Sequence, residues 1–181
     1  KILEQKQLCL LILLDLSSAF YMVNHDILIH LLGSRMGISG PVLSWFNSFL
    51  HERTQCVKVG HSISDQKTIS MGVPQGSTLS PTLFNLYMEP FAEILSQSNI
   101  SYHIYADDTQ LYLKISSSDD IQSVNLSLRK AQQWLSCNHL KLNSTKTEFL
   151  LISPPKCPSK MADWMIHLNT LNCTPSIIDS A

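Results

Sequence analysis

At 181 residues the chain fits one folded domain with a short extension, and its 44% apolar content and mean hydropathy of +0.06 exclude a wholly disordered chain. Thirteen Lys+Arg against fourteen Asp+Glu leave a net charge of −1 and a pI near 6.7, which argues against a free-standing cationic nucleic-acid binder. Five cysteines, Cys9, Cys56, Cys137, Cys157 and Cys173, are scattered with no C-x-x-C pair, so neither a disulfide frame nor a zinc knuckle is expected.

The first element is Leu8–Leu14, a continuous apolar run that ends at Asp15 and reads as a strand buried on both faces. It falls far short of the ~20 residues that span a bilayer and lacks the small-residue cleavage site of a secretory leader. Neither a membrane partner nor export is therefore expected. From Asn24 to Met36, Ile27, Leu28, Leu31 and Leu32 recur at helical spacing, with Gly37 as the stop. A second helix follows Ser39-Gly40-Pro41, with Leu43, Phe46, Phe49 and Leu50 on one side. Thr54–Val59 has the β-branched character of a strand.

Met71–Pro81 (MGVPQGSTLSP) carries two glycines and two prolines, which exclude a regular element through most of it. A helix over 81–95 comes next. Ile100, Tyr102 and Ile104, then Leu111, Leu113 and Ile115, alternate with more polar residues, predicting a hairpin with Ala106-Asp107-Asp108-Thr109 at its tip. A helix over 119–136 starts in an acidic first turn, and Phe149–Ile152 is the last predicted strand. Beyond Ser153 three prolines break the pattern, so the chain divides into a domain over 1–153 and an irregular tail over 154–181. The order of elements predicts an α+β fold, an antiparallel sheet with helices packed on one face.

An acid closing an apolar strand is costly unless solvated, paired or bound to metal, and Asp15 is such an acid. Asp107 and Asp108 are two more, and if the strands lie side by side three carboxylates converge. Hard oxygen donors of this kind select Mg²⁺ or Mn²⁺, and two such ions form the usual clamp for phosphoryl displacement. Strand alternation would send Asp107 and Asp108 to opposite faces, so only a turn lets both approach one ion. An isolated Asp-Asp pair is ordinarily a solvated turn, and alone it identifies nothing.

Three segments taken together do. LLDLSSAF (Leu13–Phe20), GVPQGSTLSP (Gly72–Pro81) and YADD (Tyr105–Asp108) occur in that order. The chain thereby resembles the reverse transcriptases, and within them the non-long-terminal-repeat (LINE-type) retrotransposon polymerases. GISGPVLSWFNSFLHERTQCV (Gly37–Val57) and WLSCNHLKLNSTKTEFLLI (Trp134–Ile152) extend the resemblance to residues 8–153.

The resemblance implies a polymerase palm that adds deoxynucleoside triphosphates to a DNA primer on an RNA template, using two Mg²⁺ or Mn²⁺ ions. It implies that Asp15 and Asp107 bridge the metals, with Asp108 and the Leu16 carbonyl in support. It makes Phe20 the aromatic residue that excludes a 2′-hydroxyl. Gly72, Pro74, Gln75 and Gly76 become the loop lining nucleotide and template. Lys146 becomes the lysine proposed to neutralise departing pyrophosphate.

Two departures qualify this. Tyr21 stands where LINE-type enzymes usually carry a second acid, and the fingers upstream and the thumb downstream are expected to be missing. The expectation is therefore weak or absent activity for this chain alone, acting inside the cell and, by the family's habit, in the nucleus. The competing expectation is a non-enzymatic relic reading frame of a decayed retrotransposon.

Overall fold

The computed structural model describes residues 8–98, 100–153 and 176–179. In chain order the elements are β1 (Leu8–Leu14), β2 (Leu16–Ser17), α1 (Ala19–Met22), α2 (His25–Ser34), α3 (Gly40–Leu50), β3 (Arg53–Gln55), β4 (Lys58–Val59), β5 (Ser62–Ile63) and β6 (Lys67–Ile69). They continue with α4 (Ser80–Ser96), β7 (Ser101–Tyr105), β8 (Asp108–Ile115), α5 (Ser118–Cys137), β9 (Lys141–Leu142), β10 (Glu148–Ser153) and β11 (Ser176–Asp179). The chain divides into one compact unit of residues 1–17 with 90–181 and a second of residues 18–89, the boundary falling inside α4 between Glu89 and Pro90.

The first unit is built on a five-stranded sheet of order β11-β10-β1-β8-β7. All its pairs are antiparallel except β10 with β11, which run parallel. The apolar run Leu8–Leu14 takes the centre, as a strand with no polar residue must. Its two faces differ, however. Leu10, Ile12 and Leu14 are sealed, whereas Leu11 and Leu13 are only half-buried. Leu111, Leu113 and Ile115 of β8 and Phe149 and Leu151 of β10 are sealed as well. The buried stripe Ile121, Val124, Leu128, Ala131 and Leu135 of α5 recurs at helical spacing, and this helix packs along β8 and β9. Each sealed leucine or isoleucine contributes about 1.5–3 kcal/mol of apolar burial. The α5 N-terminus is closed by a capping box between Ser117 and Asp120. The Ser116 and Ser117 amides donate to the Asp120 carboxylate and hold its pKa below the usual range.

Thr109 interrupts this apolar face. It is 2% exposed, and its hydroxyl has no hydrogen-bond partner among the described residues. A buried hydroxyl without a partner costs roughly 1–3 kcal/mol, so Thr109→Val, which keeps the branched shape, should stabilise the fold by about 1 kcal/mol. A higher urea midpoint with unchanged slope is the expected result, and a lower midpoint would show that the hydroxyl does find a partner.

The second unit comprises α1, α2, α3, the β3–β6 arm, the Ser70–Leu79 loop and the start of α4. Asn24 caps α2 by accepting the Ile27 amide, and Pro41 sits in the first turn of α3. The helix expected to reach Gly37 ends at Ser34, and Gly37 adopts φ 68 in the loop beyond. Of the apolar residues expected on one side of α3, only Leu50 is buried, while Leu43, Phe46 and Phe49 are half-buried.

The single strand expected over Thr54–Val59 is two short ones, β3 pairing with β6 and β4 with β5. Between them Val57 pairs with Ser64 partly through the Ser64 hydroxyl instead of the backbone alone, which interrupts the ladder. The tail expected to be irregular contains β11; the rest of it lies outside the described residues. Among the described residues no helix is long and apolar enough to cross a membrane.

Candidate active site

In the first unit, β1 pairs with β8 as far as Leu14↔Thr109, so Asp15 follows the last paired residue of β1 and Asp108 opens β8 at the same end of the two strands. Asp108 in turn pairs with Tyr105 of β7. Burial alternates along β8, with Thr109, Leu111 and Leu113 sealed and Asp108, Gln110 and Tyr112 on the accessible face. Asp108 is exposed and Asp15 half-buried. The acids thus stand at the end of the central strand pair, on the side away from the packed core.

The hairpin tip is tighter than alternation alone predicts. Only Ala106 and Asp107 lie between the paired Tyr105 and Asp108, and Thr109 belongs to the strand. Ala106 has φ 53, a conformation two-residue turns normally assign to glycine and one that costs an L-residue about 1–2 kcal/mol. Asp107 occupies the turn itself, which frees it from strand alternation. Among the described residues, no three His, Cys, Asp or Glu side chains gather into a ready metal cage. The expected convergence of three carboxylates is therefore not found among the described residues: Asp107 lies in the turn, Asp108 opens β8 and Asp15 follows β1.

The backbone of Asp15 is held by a loop that sequence reasoning did not single out, apart from Lys146 within it. The Asn143 amide donates to the Asp15 carbonyl at 2.8 Å. The Asp15 amide reaches the Thr147 hydroxyl at 3.5 Å, and that hydroxyl donates to the Asn143 carbonyl at 2.8 Å. Asn143 also receives the Thr145 amide on its side chain, an Asx turn legible in the N-S-T-K-T run. Lys146 is exposed on this loop. Leu16 pairs with Leu142 in the β2–β9 ladder, and its side chain is buried.

Phe20, Gly72, Pro74, Gln75 and Gly76 belong to the second unit. There Phe20, Gln75, Gly76, Thr78 and Pro81 line a cleft of about 400 Å³. The Phe20 ring stacks on the buried ring of Phe84, centroids 4.6 Å apart. The Ser77 amide donates to the Pro74 carbonyl at 3.3 Å, closing a turn with Gly76 at φ 79, which is the type II geometry that calls for glycine there. Gly72 and Pro74 are not among the residues lining this cleft, and the Ser80 hydroxyl donates to the Pro74 carbonyl. Tyr21 is 59% exposed.

Hard oxygen donors without nitrogen or sulfur fit magnesium, which keeps several waters and takes one or two carboxylates together with substrate phosphates. A few acids at one strand end suit that habit better than they would suit a zinc or calcium cage.

Residues 1–171 match the family described as reverse transcriptase (RNA-dependent DNA polymerase). Among curated proteins the chain is similar to the RNA-directed DNA polymerase from mobile element jockey of Drosophila melanogaster, 29% identical over 80% of this chain. It is also similar to the probable RNA-directed DNA polymerases of the Drosophila transposon BS, at 29% identity, and of X-element, at 26%. It spans about 16% of the length of each. In fold it resembles apo telomerase from Candida tropicalis lacking its C-terminal domain, with a TM-score of 0.63 at 14% identity over 87% of this chain and 33% of that one. It likewise resembles Candida albicans telomerase in complex with a fragment of telomeric RNA, with a TM-score of 0.62 at 13% identity over 83% of this chain and 27% of that one.

Proposed function

This chain belongs to the reverse transcriptase family, and from that premise we propose that it is palm sequence of a LINE-type RNA-directed DNA polymerase, transferring deoxynucleotides to a primer 3′-hydroxyl on an RNA template. The observation that carries the proposal is the β1–β8 register, whose last pair, Leu14↔Thr109, leaves Asp15 and Asp108 at one end of the two strands beside the Ala106–Asp107 turn.

In this reading Asp15 and Asp107 would hold the hard cations, with Asp108 and the Leu16 carbonyl in support. Magnesium or manganese, when bound, supplies charge neutralisation of the phosphates and activation of the primer hydroxyl. Asp15 is kept in place by its main chain, through Asn143 and Thr147, so its carboxylate does not have to anchor the loop. Lys146 rides on that same loop and offers its ammonium to the leaving pyrophosphate. Phe20 is stacked on Phe84, and in this reading its ring opposes a 2′-hydroxyl, while the Gln75-Gly76 turn presents backbone to the nucleotide.

The test is primer extension on an RNA template with an annealed DNA primer. Slow incorporation is expected that requires Mg²⁺ or Mn²⁺ and prefers deoxynucleotides to ribonucleotides. A folded chain that adds nothing in either metal returns the non-enzymatic reading. Incorporation without preference between the two sugars removes the role of Phe20.

A further inference from the structure

His25, the first residue of α2, is 2% exposed. Its Nε2 lies 2.9 Å from the Gly72 carbonyl oxygen. Arg53 donates to the same oxygen through Nη2 and to the Leu50 carbonyl through Nε at 3.0 Å. A carbonyl only accepts and a guanidinium only donates. The hydrogen-bond network therefore assigns the imidazole proton to Nε2, and the 3.3 Å approach of Arg53 Nη2 to it is a meeting of two donors on one acceptor. The other nitrogen, Nδ1, is buried with no hydrogen-bond partner among the described residues. A second proton there would have nowhere to donate.

Gly72 is gripped on its other sides too. Its amide donates to the Val23 carbonyl at 2.7 Å, and the next amide, of Val73, donates to the Phe20 carbonyl at 2.9 Å. Its φ is 86, and a Cβ would stand 2.9 Å from Tyr21 backbone. Both faces of this one peptide are thus fixed just before the turn that carries Gln75 and Gly76.

We propose that His25 and Arg53 are positioning residues for the Val73–Gly76 loop: donating together to the Gly72 carbonyl, they set the peptide plane from which the loop departs. Gln75 and Gly76 are thereby placed beside Phe20. The consequence for nucleotide binding rests on the polymerase reading, whereas the clamp itself does not.

The groups facing the imidazole are Arg53, His51, Asp26 and the Gly72 carbonyl. Burial, with the positive charge of Arg53, keeps it below the ordinary value of 6.5 despite the opposing pull of the Gly72 carbonyl and Asp26. The unfolded chain takes up this proton near 6.5 and the folded chain does so only lower. The clamp's stability is thus fully present above that pH and falls as the pH drops through the window beneath it.

Gly72-Val73 is the one Gly-Val pair in the sequence, so ¹³C-carbonyl glycine with ¹⁵N-valine in the full chain gives a single carbonyl–amide correlation reporting this peptide. His25→Phe and Arg53→Met should each move it, with the carbonyl carbon shifted upfield. His25→Gln, whose amide can donate in place of Nε2, should return it toward the wild-type position. The wild-type correlation should hold still from about pH 8 to pH 6.5, above the range in which the clamp protonates. In primer extension the two disruptive variants should raise KM for the deoxynucleotide about fivefold, the worth of one hydrogen bond, with kcat much less affected. A correlation that stays put in both His25→Phe and Arg53→Met overturns the clamp, as does one that titrates above pH 6.5. A moved correlation with unchanged KM overturns its role in nucleotide placement. Should His25→Phe not fold, Arg53→Met and the wild-type pH series decide alone. Wild-type chain that extends no primer refutes the polymerase reading and leaves the spectroscopic result to judge the clamp.

Discussion

Asp15→Asn is expected to lower metal-dependent primer extension by on the order of 10³-fold, the scale on which removing a principal electrostatic group acts, while leaving the fold intact. The substitution keeps size and shape and removes only charge. The bonds that fix residue 15 are made by its backbone, to Asn143 and to the Thr147 hydroxyl, so asparagine keeps both. Asp108→Asn should act in the same direction, because Asp108 opens β8 at the strand end where Asp15 follows β1 and its exposed side chain carries no packing. Paramagnetic broadening by Mn²⁺ gives a second readout that needs no turnover: amides near residues 15 and 108 should broaden in the wild type and not in the double variant. Extension that survives Asp15→Asn would remove Asp15 from the chemistry. A variant that unfolds would place its carboxylate in the folding of the strand end instead.

Gly72→Ala should be the most damaging single methyl added to the second unit, costing roughly 3–5 kcal/mol from left-handed strain and overpacking together. The strain comes from φ 86, which alanine adopts reluctantly. The overpacking is against backbone: Tyr21 Cα and carbonyl oxygen at 2.9 Å and the Phe20 carbonyl at 3.1 Å, none of which can rotate aside. Gly37→Ala is the control, since it shares a positive φ of 68 but has nothing within 4 Å. Thermal unfolding followed by circular dichroism should therefore show a large drop for Gly72→Ala and a small one for Gly37→Ala. Equal drops would assign the whole cost to backbone conformation and none to the close approach.

The central strand and the hairpin were legible because their signals are local. Seven apolar residues in a row and two alternating runs leave little choice of structure. The hairpin tip was misplaced because alanine carries no turn signal, and only cross-strand register shows that Ala106 takes a glycine's conformation. The β3–β6 arm escaped recognition in part because its strands are two or three residues long and almost wholly exposed, too short for a period. The acids were legible as residue types, and their family motif supplied their grouping. His25 was not legible at all. Its role depends on a carbonyl 47 residues away, and nothing in the helix pattern around it distinguishes a buried imidazole from a solvated one.

Along β8 of the first unit, packing residues turn to one face and more polar ones to the other, Thr109 inward and Asp108 outward on adjacent residues. Such a sheet separates what natural selection must preserve for shape from what it must preserve for chemistry. Substitutions confined to the outward face of β8 are therefore expected to leave a chain that still folds. For proteins of this kind, good behaviour in solution is a record of the inward face only.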